Sequence, residues 1–118
     1  MMQIARDLIQ GEPTIVLRTK GLHLMDPTAE GRCASGWWRL NRKRVKGCTR
    51  VLVYVLSEGA ATAKVLIGRY DDIEDAEDDS GKIAVAFIQE RTETTDADWA
   101  TFSDSLPGTT SFRRYLNH

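Results

Sequence analysis

Cysteine and histidine are scarce in this chain, and their scarcity removes whole classes of chemistry. Two cysteines, Cys33 and Cys48, and two histidines, His23 and His118, are dispersed along 118 residues, without the paired spacing that a zinc site needs. No metal site and no cofactor are therefore expected. The two cysteines could pair, but nothing implies an oxidising compartment, so they read as buried or incidental thiols. His23, between Leu22 and Leu24, reads as a packed or surface residue. Long hydrophobic runs are missing too. The longest, Val51 to Leu56, is far short of the roughly 20 residues that cross a bilayer, and the N-terminus lacks a basic start followed by an apolar stretch, so no export signal is expected. With 42% hydrophobic and 28% charged residues, the chain reads as one cytoplasmic globular domain spanning residues 1–118. No nucleophile stands beside a base in sequence, and no catalytic residue is assigned.

Net charge is also nearly absent, at −1, yet this average conceals segregation. Gly31 to Ser57 holds seven arginines and lysines and no acid, whereas Asp71 to Asp79 holds seven acids and no base. Local charge, not the sum, sets the field near a surface, so a basic face able to meet a polyanion is compatible with this balance. The opposing reading is that the two runs neutralise each other across the fold.

What the chain has in plenty is β-forming sequence. Three runs, VLVYVLS, TAKVLIGRY and KIAVAFIQER between Val51 and Arg91, are dominated by β-branched, aliphatic and aromatic residues and predict a meander. The short join Ser57-Glu58-Gly59-Ala60 predicts an antiparallel hairpin. Both faces of Val51–Leu56 are apolar, as closure of a small barrel or a sheet covered on both sides requires, and Gly68 predicts a bulge or tight bend. The acidic segment Asp71 to Gly81 is expected to be a mobile, solvated loop. No frame in it supplies the glycine and glutamate of an EF-hand loop. Upstream, Ile4, Leu8 and Ile9 predict a helix over 2–9, Gly11 stops it, and Pro13 directs the chain into a strand over Thr14–Arg18 with Ile15 and Leu17 on one face. Asp26-Pro27 predicts a turn. Near the C-terminus, Trp99, Phe102 and Leu106 predict a helix capped by Thr95 or Asp96 and ended by Pro107-Gly108. Phe112, Tyr115 and Leu116 predict a terminal turn or helix docked on the sheet.

The opening helix, Gly11, Thr14 and Arg18 at the end of the first strand resemble the ASCH branch of the PUA-like superfamily, whose motif runs from a helix-ending glycine to an arginine. A tryptophan, Trp37 or Trp38, followed by a short basic helix and a hydrophobic strand is similar to segments of EVE-type and related PUA-like domains. The resemblance implies an α+β fold, a small PUA-like mixed β-barrel of about five to six strands with short flanking helices. It also implies a pocket near Arg18 lined by Thr14 and Tyr54. The family's lysine two residues after the glycine and glutamate two before the arginine are replaced by Pro13 and Val16, so hydrolase activity does not carry over.

Gly36-Trp37-Trp38-Arg39-Leu40 sets two indoles beside an arginine, and Asn41 predicts the N-cap of a short helix, Arg42 to Lys46, closed by Gly47. Adjacent tryptophans point in different directions, so one is expected in the core and the other near the surface; the alternative is that both are core residues and that Arg42, Lys43, Arg44 and Lys46 form an ordinary solvated helix face. Aromatic faces stack on unpaired bases and cations neutralise phosphates. The expected interface is Arg18, Lys20, Trp37, Trp38, Arg39, Arg42, Lys43, Arg44 and Lys46, with nucleic acid as partner, RNA ahead of DNA, or a nucleotide-like ligand. Two other classes stay open. One is a hydrolase of ASCH type acting on nucleic acid or a nucleoside. The other is a small phage- or defence-type factor that meets a protein partner through the acidic 71–79 segment.

Overall fold

The computed structural model describes residues 8, 12–19, 24–25, 31–38, 41–76, 81–103 and 112–115. In chain order the elements are β1 (Thr14–Thr19), β2 (Leu24–Met25), β3 (Arg32–Trp38), α1 (Arg42–Lys46), β4 (Arg50–Val55), β5 (Ala63–Asp75), β6 (Ile83–Thr95), α2 (Trp99–Ser103) and β7 (Phe112–Tyr115). They build one seven-stranded sheet in the order β2-β3-β6-β5-β4-β1-β7. β1 runs parallel to both β4 and β7, and the remaining neighbours are antiparallel. Among the described residues the fold is thus mostly β, with a mixed sheet and, besides the helical Leu8, two short helices. The sheet does not close into the small barrel that the resemblance implies. Closure needs the first and last strands to share a staggered ladder, and the outermost strands here, of 2 and 4 residues, are joined by no ladder among the described residues.

The meander is the part that local sequence dictates. Gly59, at φ 81°, makes the turn between β4 and β5, where the Ala60 N–H donates to the Ser57 carbonyl at 3.0 Å. β5 and β6, 13 residues each, pair along their whole length, from Ala63↔Thr95 to Asp75↔Ile83. The register slips between Ile67 and Gly68, the bulge that the glycine predicts. A Cβ on Gly68 would stand 2.4 Å from the Ile88 carbonyl oxygen and 2.7 Å from the Phe87 ring.

Alternation splits the core into two layers. Ile15, Leu17, Val51, Val53, Leu66, Val85 and Phe87 pack on one face of the sheet with Trp38, Val45 and Cys48. Val16, Leu52, Tyr54, Val65 and Ile67 pack on the other, under Phe102 and Trp99 of α2 and beside Leu8. Burial on both faces of β1 and β4 explains why those strands lack polar alternation.

Three further expectations are corrected. Asp71 to Asp75 is not loop but the continuation of β5, because Arg32 neutralises Asp71 and Glu74 from the neighbouring side of the sheet. Phe112–Tyr115 is a strand parallel to β1, not a turn or helix. The cap of α2 is Asp98, whose Oδ1 accepts from the Thr101 N–H at 2.8 Å, while Thr95 ends β6. Among the described residues no helix is long and apolar enough to cross a membrane. Of the 2–9 helix only Leu8, helical and buried, is described. The Asp26-Pro27 turn, His23, His118, Leu106, Pro107-Gly108 and Leu116 lie outside the described residues.

Candidate functional site

The cationic segment is held in shape by one cap and one anchor. Asn41, extended at φ −72° and ψ 111°, accepts the Arg44 N–H on its Oδ1 at 3.1 Å, and Gly47 closes α1 by donating to the Lys43 and Arg44 carbonyls. Val45 is fully buried in the inner layer. With that single side chain turned inward, Arg42, Lys43, Arg44 and Lys46 are all exposed. Cys48, one residue past the helix closure, adds a second apolar contact. Burial pushes its thiol up to about 11, against the opposing influence of Arg44, so it stays protonated and packs as a small hydrophobe. Cys33 is likewise buried, and no disulfide joins the two.

Charge around α1 is not one-signed. Arg42 forms an ion pair with Asp75 at the end of β5, and that hydrogen bond holds the Asp75 carboxyl below its ordinary value, with the charges of Arg42 and Lys46 acting the same way. Further along the sheet Arg32 donates to Asp71 at 2.8 Å and to Glu74 at 2.9 Å. Arg50, with only 11% of its side chain exposed, donates to Glu12 at 2.9 Å. The two oppositely charged runs of the sequence therefore do meet, through Arg32 and Arg42.

Of the two tryptophans, Trp38 is the core residue. It is 3% exposed, and its indole N–H donates to the Ser35 carbonyl at 3.0 Å and lies 3.3 Å from the Ser35 hydroxyl. Its ring has no surface for a base. The backbone of Trp37 lies in β3, where the register shifts between Ser35 and Trp38, and its side chain is outside the described residues, as are Lys20 and Arg39.

Thr14, Arg18 and Tyr54 share one face of the sheet, but not the face that Val45 anchors. Arg18 stands opposite Tyr54 in the parallel β1–β4 register, while Arg50, which adjoins α1 in the chain, stands opposite Thr14 at the other end of the pair. The Tyr54 hydroxyl donates to the Ala97 carbonyl at 2.6 Å, and burial raises its pKa, with Arg18 acting the other way. Thr14 Oγ1 donates to the Glu12 carbonyl at 2.8 Å. Thr14 and Tyr54 are 0% and 1% exposed. Tyr54 packs beneath α2 against Trp99 and Phe102, and neither Thr14 nor Tyr54 presents surface to solvent.

No protein-family model, curated protein or solved structure matches this chain.

The geometry therefore separates the sequence-derived residues into two groups. Arg18, Thr14 and Tyr54 share the sheet face that carries α2, and Arg42, Lys43, Arg44 and Lys46 form the exposed cationic helix. Asp75 is not among the residues expected to meet nucleic acid and enters the sequence reading only as part of the acidic 71–79 segment. Only the fold shows that it meets Arg42. Among the described residues no group of His, Cys, Asp or Glu could hold a metal ion. What α1 can do chemically is present several long-chain cations on a fixed backbone. That suits phosphate neutralisation and requires no acid-base chemistry.

Proposed function

We propose that this chain is a nucleic-acid-binding domain, related to the PUA-like domains that its Gly11, Thr14 and Arg18 resemble, and that α1 is its phosphate-contacting element. The observation that carries the proposal is the division of α1 into one buried residue, Val45, and four exposed cations. Lys43, Arg44 and Lys46 meet backbone phosphates of single-stranded RNA. Arg42 joins them once it exchanges Asp75 for phosphate, and Trp37 and Arg39, next along the chain, supply base stacking and a further cation.

Anisotropy titration of a labelled single-stranded RNA tests this. Removing three phosphate contacts on a single strand reduces the slope of log K against log salt by about 2, as the Lys43→Ala/Arg44→Ala/Lys46→Ala variant should do while leaving the far-ultraviolet spectrum unchanged. Trp37→Ala is expected to cost about 1–3 kcal/mol of binding without loss of stability. Trp38→Ala is expected to lower stability by about 3–5 kcal/mol. A salt-independent affinity, or a triple variant that binds as well as the parent chain, would sink the proposal. Turnover of the RNA or of a nucleoside would instead identify the hydrolase reading.

A further inference from the structure

β6 outruns its neighbour. The β3–β6 ladder ends at Arg32↔Ile88, the Gln89 N–H still donates to the Gly31 carbonyl at 2.8 Å, and Gly31, at φ 80°, turns the chain away. Beyond that point β6 pairs with β5 on one side, from Ile67↔Arg91 to Ala63↔Thr95, and no described strand lies on the other. Arg91, Thr92 and Thr94 are exposed and Glu93 is half-buried, before Thr95 turns into the core. A strand edge that no described residue pairs is a template for another strand.

Its sequence is self-complementary. In an antiparallel pair, opposed residues point to the same face, so a two-fold axis must pass through a residue that opposes itself. An axis at Glu90, Arg91 or Glu93 sets like charges directly opposite, which is destabilising. An axis at Thr94 overlaps little of the strand before Thr95 ends it. The axis at Thr92 alone sets Arg91 opposite Glu93 and Glu93 opposite Arg91, with Glu90 opposite Thr94 and both threonine hydroxyls at the centre. Arg91 and Glu93 already approach within 3.7 Å along one strand, with 46% and 32% of their side chains exposed, and can exchange that contact for two across the axis.

We infer that the open edge of β6 is an interface for a second copy of this chain, paired antiparallel about Thr92. The ladder is short, so association is reversible and concentration-dependent, unlike that of standard interfaces. This surface is distinct from α1 and independent of the nucleic-acid proposal.

Sedimentation velocity from low micromolar to about millimolar protein is the test, the range being set by the weak end of protein association. The parent chain shifts from one chain mass toward two as concentration rises. Arg91→Glu and Glu93→Arg each remain monomeric, because each sets like charges opposite across the axis. An equimolar mixture of these two variants regains the dimer, since the two introduced side chains then oppose each other with opposite charge, and the retained Glu93 of the first variant opposes the retained Arg91 of the second. The swapped chain Arg91→Glu/Glu93→Arg dimerises as the parent does, which guards against a single variant that merely folds poorly. A parent chain that stays monomeric throughout, or a mixture that stays monomeric when the swapped chain is folded, overturns the inference. RNA affinity of the folded variants follows α1 and not this edge, so the two proposals fail separately.

Discussion

Gly68 shows how much one residue can decide. Its φ is ordinary, so the requirement is spatial. The bulge brings the Ile88 carbonyl oxygen to 2.4 Å from where a Cβ would stand, and a backbone oxygen cannot swing aside as a side-chain tip can. Gly68→Ala must either open the β5–β6 ladder or push Phe87 out of the inner core, where it is fully buried. The expected cost is about 1–3 kcal/mol, measured as a lower urea midpoint. An unchanged midpoint would show that the strands separate there freely. Trp38 makes a comparable point about aromatic sequence. The order of two adjacent indoles does not say where either goes, and only the Ser35 hydrogen bonds and the opposition of Trp38 to Ile83 show that Trp38 is buried.

At the scale of elements, legibility followed the range of the interactions. β4 and the first halves of β5 and β6 were readable because β-branched runs and a glycine turn specify a hairpin locally. The cap and closure of α1 were readable for the same reason. The second half of β5 was not, because five acidic or isolated apolar residues carry no strand signal by themselves. Their partner Arg32 is 39 residues away from Asp71 and 42 from Glu74. β7 was unreadable because a four-residue strand in parallel pairing takes its stability from β1, not from its own sequence. The unexpected extension of β5 also carries Asp75 to α1. Asp75→Asn removes the charge that competes with phosphate for Arg42. An exposed pair is weak, so RNA affinity should rise modestly, by about fivefold at most, at low salt and the gain should fade as salt increases. Equal affinities of the two proteins at every salt concentration would mean that Arg42 takes no part in binding.

For the molecule as a whole, the open sheet relies on carboxylates to tie its outlying segments down. Glu12, just before β1, is held below its ordinary pKa chiefly by its hydrogen bond from Arg50, with Thr49 helping. Asp75 is held down by Arg42, and Asp98 by the Thr101 N–H at the start of α2. The sign follows from the direction. A carboxyl with a lower pKa in the folded state stabilises the fold above its unfolded value and loses that contribution as pH falls through the folded one. The urea midpoint should therefore be nearly level between pH 7 and 5 and fall below about pH 4, where unperturbed carboxylates titrate. Glu12→Gln flattens that fall by removing a charge that faces Arg50. Asp98→Asn flattens it too and is the cleaner variant, because asparagine remains a good N-cap for α2. A midpoint that rose between pH 5 and pH 3 would mean that repulsion within the acidic run outweighs these attachments, and that Arg32 and Arg42 leave Asp71–Asp75 largely uncompensated.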